Sequence, residues 1–172
     1  NTNAESFLKR MKKEYDRYWT VDRIQKAKGQ NLTPDEAVIL ASIVEEESNL
    51  KEERPIIAGL YLNRLKKNML LQADPTVRFA VGDFDIRRVL NKHLEKDSPY
   101  NTYLYYGLPP GPICTPSKNS IEAVLNPVDH NYLYMCAKAD FSGEHAFASS
   151  LREHLKNARA FQRALNERNI YQ

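Results

Sequence analysis

Three consecutive carboxylates, Glu45, Glu46 and Glu47, close the apolar run AVILASIV in the stretch ASIVEEES. Successive helical residues point about 100° apart, so the three cannot share one role. On a helix, Glu45 continues the face of Val38, Ala41 and Ser42, and Glu47 that of Leu40, Ile43 and Val44. A carboxyl bordering apolar side chains loses hydration of its charged form, which raises its pKa and favours a neutral acid near pH 7. A neutral carboxylic acid is what protonates the leaving oxygen in glycosidic cleavage. Ordinary glycoside hydrolysis also needs a second carboxylate. Asp74, in LQADPT, is the candidate, although Asp before Pro at a helix start is equally the pattern of a structural cap. The residues alone leave both open, and leave the Glu run readable as a solvated helix end. No HExxH, GxSxG or P-loop occurs, His145 and His154 stand alone in the sequence, and Cys114 and Cys136 lack CxxC spacing. No metal or cofactor is expected on those grounds.

These groups need elements to hold them. Thr33-Pro34-Asp35-Glu36 combines an N-cap, a proline at the first helical position and a capping box, and predicts a helix over 34–48. Its middle is apolar on every side, which makes it central. Further helices are expected over 4–19, over a short stretch stopped at Gly29, and over 54–67, 86–92, 118–125 and 150–168. Asp74-Pro75 repeats the cap-then-proline signal and opens another short helix. NYLYMCAKA and GEHAFAS alternate as strands around a DFSG turn. YNTYLYYGLPPGPICTPS is a rigid Pro/Gly/Tyr-rich loop suited to a cleft wall for a sugar. The expected fold class is α+β: a mainly helical domain with a small antiparallel sheet.

Composition sets outer limits. At 172 residues the chain forms one domain with a core large enough to need no staple, and 42% apolar with 27% charged residues is ordinary for a globular protein. A net charge of +3 spread along the chain argues against nucleic acid as a partner. No run approaches the ~18 apolar residues of a membrane span. A Cys114–Cys136 disulfide stays open, since sequence does not give the Cα separation.

The ordered motifs LASIVEEES, LYLNRL, LLQADPTVRFAVG, SPYNTYLYYGLPPGPICTPS and NYLYMCAKADFSGEHAFASSLREH closely resemble the endolytic murein transglycosylase, or YceG-like, family over residues 32–168. The resemblance implies residues 32–172 as the catalytic domain and 1–31 as a helical lead-in, with NTNAES read as a cut inside a longer protein. It implies peptidoglycan glycan strands as substrate, cleaved between N-acetylmuramic acid and N-acetylglucosamine to leave a 1,6-anhydro end. The muramoyl C6 hydroxyl is the nucleophile, so one carboxyl can give and then take the proton, and a tethered nucleophile carries a large effective concentration. The first acidic position of the SIVExE motif falls on Glu45, which becomes the expected acid/base, and the second falls on Glu47. Gln72, Asp74, Thr76, Asn101, Tyr103 and the Leu108-Pro109-Pro110-Gly111 segment match motifs around the cleft, and His145 matches a strand histidine without a derived role. The resemblance further implies an N-terminal membrane anchor outside this chain, a setting on the outer face of the cytoplasmic membrane, and synthases as partners. The rivals are a hydrolase using Asp74 or Glu47 to activate water and a non-catalytic glycan-binding module.

Overall fold

The Thr33 hydroxyl accepts from the Glu36 N–H at 3.2 Å while the Glu36 carboxylate accepts from the Thr33 N–H at 2.8 Å, so the capping box forms as its sequence predicts. The helix it opens is the centre of the fold. The computed structural model describes residues 3–86 and 89–168. Within them the chain runs α1 (Ala4–Tyr18), α2 (Val21–Gly29), α3 (Pro34–Glu47), α4 (Arg54–Lys66), α5 (Asp74–Val81), α6 (Asn91–Leu94), α7 (Lys118–Leu125), β1 (Tyr134–Ala137), β2 (His145–Ala148) and α8 (Leu151–Glu167). The α+β class expected from the sequence is the one observed, with one two-stranded antiparallel sheet among the described residues.

In α3, Ala37, Leu40, Ala41, Ile43 and Val44 are fully buried, so the helix that looked apolar all round is surrounded by protein. It packs against α4, α5 and α7, where Ile57, Leu60, Tyr61 and Val124 complete the core. Each such aliphatic side chain contributes about 1.5–3 kcal/mol of hydrophobic stabilisation. Trp19, Ala27 and Leu32 belong to the same core, which therefore extends across the 31/32 boundary expected between lead-in and domain. In contrast, α1 buries none of its residues, and Phe7, Leu8 and Met11 are exposed.

The sheet reaches α4 through a backbone approach that needs glycine. A Cβ on Gly59 would lie 2.6 Å from the Val128 carbonyl oxygen, so only glycine fits. The Asn63 amide then donates to the carbonyls of His130 (2.7 Å) and Tyr132 (3.2 Å), delivering the chain into β1. Tyr134 pairs with Ala148 and Ala137 with His145, and α8 packs on both strands.

Two local expectations change. Asp74 is not the N-cap of α5: Ala73 holds that position, and Asp74 makes no capping hydrogen bond. Its carboxylate is engaged by a tyrosine instead, as described below. The helix expected over 86–92 is a single turn over Asn91–Leu94, and residues 87 and 88 lie outside the described residues. The 100–117 loop contains turns and bends without helix or strand, as its Pro and Gly content dictates. Cys114 and Cys136 are both free thiols.

Candidate active site

The three carboxylates at the end of α3 go to three different places. Glu45 turns towards α7. Its Oε2 accepts from the Ser117 N–H (2.9 Å), the Ser117 hydroxyl (2.6 Å) and the Ser120 hydroxyl (2.7 Å). Arg54 Nη2 donates to Oε1 at 2.9 Å, and Nη1 to Oε2 at 3.3 Å. Ser117 is the N-cap of α7, so this carboxylate sits where a helix dipole favours an anion. Burial would raise the Glu45 pKa, but the two serine hydroxyls, the Ser117 N–H and Arg54 outweigh it and hold the carboxyl down at about 2. Glu46 points to Arg78 at 3.7 Å on the surface.

Glu47 opens onto a cleft of about 400 Å³ between α4, the Leu71–Asp74 segment, the sheet and α8. Its Oε1 accepts from the Tyr61 hydroxyl. Burial is the largest influence on this carboxyl and raises its pKa; the Asp74 charge adds to the rise, while Tyr61, His145 and Arg78 oppose it. The balance pushes Glu47 up to about 7. A carboxyl poised there can be neutral or charged at small cost, which is the property general acid–base catalysis uses.

Asp74 faces the same cleft, and the Tyr103 hydroxyl donates to its Oδ1 at 2.6 Å. Burial, then this bond and the Asp74 charge, push the Tyr103 phenol upward, so it stays a donor. His145 lines the cleft as well. Its Nδ1 lies 2.8 Å from Glu53 Oε2, and its backbone N–H donates to Glu53 Oε1 at 2.7 Å. The Ser48 hydroxyl donates to Glu53 Oε2 at 3.1 Å. A carboxylate can only accept, so Nδ1–H is the donor in this bond, and Nε2 makes no hydrogen bond among the described residues.

Arg64 ties the walls together. It is 7% exposed, and its guanidinium donates to the carbonyls of Leu133 (2.6 Å), Leu70 (3.0 Å) and Leu71 (2.8 Å) and to Gln72 Oε1 (3.2 Å). Tyr134 and His154 stack at 5.4 Å between ring centroids and form an aromatic surface in the cleft.

Of the residues expected at the site, Glu47, Gln72, Asp74, Tyr103 and His145 come together in this cleft. Thr76 and Asn101 are fully buried behind it. The Thr76 hydroxyl bonds to the Ala73 carbonyl (2.7 Å) and to Thr102 Oγ1 (2.8 Å). Asn101 donates to the carbonyls of Leu94 and Lys96 and accepts from the Tyr103 N–H, which aims Tyr103 at Asp74. Leu108 and Pro109 line a different groove, of about 610 Å³, with Leu32 and Ile39; Pro110 is exposed. Glu45 lines neither cavity. Sequence reasoning missed Glu53, Tyr61, Arg64 and His154. Arg64 carried a signal, since an arginine inside an otherwise apolar helix face needs acceptors.

The YceG-like family model matches residues 1–160. An endolytic murein transglycosylase of Bacillus subtilis is 40% identical over 168 residues, covering 98% of this chain and 46% of that protein. An endolytic murein transglycosylase of Streptococcus pneumoniae is 35% identical over 134 residues, covering 76% of this chain and 24% of its own length. The crystal structure of a yceG-like protein from Listeria monocytogenes superposes with a TM-score of 0.71 at 40% identity, over 77% of this chain and 42% of that one. This chain thus spans less than half the length of the curated relatives it matches. With a model match over most of its length and relatives at this level of identity, the chain belongs to the YceG-like family.

Proposed function

We propose that this chain is the catalytic domain of a peptidoglycan lytic transglycosylase and that Glu47, rather than Glu45, is its acid/base. The observation that carries the assignment is the Glu47 carboxyl itself: it is raised to about 7 and opens onto the cleft that also holds Asp74, Tyr103 and His145. Glu45 was the expected acid from its place in the motif. A carboxyl held at about 2 by Ser117, Ser120 and Arg54 has no proton to give near neutral pH, and Glu45 serves here as the anion that binds α7 to α3.

In the proposed reaction, neutral Glu47 protonates the glycosidic oxygen between N-acetylmuramic acid and N-acetylglucosamine as the C1–O bond breaks. The ionised Glu47 then accepts the proton of the muramoyl C6 hydroxyl as its oxygen bonds to C1. The products are a 1,6-anhydro end and a free 4-hydroxyl, with Glu47 reprotonated and no water consumed. The Asp74 carboxylate supplies negative charge beside the positive charge that develops at C1. Asp74 also favours a second reading, hydrolysis, in which it would activate water. The natural setting of this reading is the outer face of the cytoplasmic membrane near glycan synthases, with attachment through a segment outside this chain; no described helix is long and apolar enough to cross a membrane.

Digestion of purified glycan strands by the wild type and by Glu47→Gln, followed by mass spectrometry, tests the proposal. Anhydro ends lost in Glu47→Gln support it. Reducing ends one water heavier point to the hydrolase, and no cleavage by the wild type counts against both.

A further inference from the structure

Gln72 has a backbone φ of +52°, in the left-handed region that favours glycine. Glycine would adopt this conformation without steric cost, and asparagine with little. A residue that is neither, held in that region, is strain retained by its surroundings, and such strain clusters at ligand sites. The surroundings here are explicit. The Gln72 N–H donates to the Thr102 carbonyl at 3.0 Å, and Arg64 holds the carbonyls of Leu70 and Leu71 just before it.

The side chain is fixed as well. Arg64 Nη1 donates to Gln72 Oε1 at 3.2 Å. A guanidinium has only donors, so the amide oxygen must face Arg64 and the NH₂ must face away. Gln72 is exposed and lines the Glu47 cleft, and its Nε2 makes no hydrogen bond to protein among the described residues. The fold therefore spends backbone strain and a buried arginine on presenting one oriented neutral donor to the ligand space.

We infer that Gln72 is a specificity-determining residue whose side-chain NH₂ donates to the acyl carbonyl of a 2-acetamido sugar. This deepens the proposed function and rests on it for the sugar class. An amide carbonyl is the strongest neutral acceptor on such a glycan, and a donor that cannot turn to accept selects for it over a hydroxyl or an amine. The cleft supplies apolar neighbours for the acetyl methyl in Met135 and Leu151.

The test uses Glu47→Gln protein as a non-cleaving background and measures binding of N-acetylated and de-N-acetylated glycan strands by titration calorimetry. Gln72→Gly relieves the backbone and removes the donor; Gln72→Asn tolerates the backbone but is one methylene shorter. The background protein is expected to prefer the N-acetylated strand by about tenfold, the worth of one net hydrogen bond. Both variants are expected to bring that ratio close to one, with a melting temperature no lower than the parent. Comparing ratios between proteins cancels the charge that de-N-acetylation introduces. A ratio unchanged in both variants, a parent without preference, or a parent that binds neither strand overturns the inference. Cleavage by the wild type is read separately, so an acetamido preference without cleavage would sink the proposed reaction and leave the Gln72 assignment standing.

Discussion

Glu45 and Glu47 are separated by one residue on α3, yet Glu45 binds the N-terminus of α7 and Glu47 opens onto the cleft. The first carboxyl is held at about 2 and the second is raised to about 7. One helix end thus carries a carboxylate that joins α3 to α7 and, two residues on, a carboxyl that opens onto the cleft. The two roles predict separable consequences of mutation.

Glu45→Gln is expected to destabilise the fold by roughly 2 kcal/mol, because Arg54, 5% exposed, loses its charged partner and the α7 cap is weakened. The sign with pH follows from the lowered pKa. Glu45 contributes stability above about 4.5, its unfolded value, and loses it as pH falls towards 2. Denaturant titrations at pH 7 and pH 3 should show a smaller difference between wild type and Glu45→Gln at the lower pH.

Glu47 has the opposite sign. Its folded pKa lies above the unfolded value, so between about 4.5 and 7 the native state holds a proton that the unfolded chain has released. Stability from this group is present below pH 4.5 and is lost as pH rises through 7. Glu47→Gln is expected to be no less stable than wild type at pH 8 and to flatten the decline in melting temperature between pH 5 and 8.

Tyr61→Phe removes the hydroxyl that donates to Glu47 and favours its charged form. The Glu47 pKa should rise, moving the alkaline limb of kcat/KM upward from about 7. A pH–rate profile on glycan strands checks the direction, and a limb that moves down would contradict the assignment of that limb to Glu47.

Asp74→Asn removes the negative charge that raises Glu47, so the alkaline limb should move down. The rate should fall by about 10²-fold, as for loss of an electrostatic group beside the reacting centre. The residual products should still carry anhydro ends. Loss of reducing-end products would instead mark Asp74 as a water-activating base.

Much of the scaffold was legible because its signals are local. Thr33 and Glu36 lie three residues apart and formed the capping box, Gly29 ended α2, and alternation gave both strands. The difference in surroundings between Glu45 and Glu47 was not local. It is set by Ser117 and Ser120, 72 and 75 residues downstream, and by Tyr61 and Asp74. The sequence did hold one pointer: Glu47 continues the face of Leu40, Ile43 and Val44, all fully buried, and so is the more desolvated of the two. Motif position favoured Glu45, and helical geometry alone could not see the serines that hold it ionised. Asp74 misled for a related reason, since Asp-Pro at a helix start reads as a cap until Tyr103 takes the carboxylate. Glu53, in a run of charges that reads as a solvated surface, is 8% exposed beneath His145.

The most direct measurement compares Glu47→Gln and Glu45→Gln side by side on purified glycan strands, with products weighed by mass spectrometry and folding monitored by circular dichroism. Glu47→Gln is expected to fold and to form no 1,6-anhydro ends, while Glu45→Gln is expected to form them at a rate that follows its folded fraction. Anhydro ends produced by folded Glu47→Gln and absent from folded Glu45→Gln would contradict the assignment of the acid/base to Glu47.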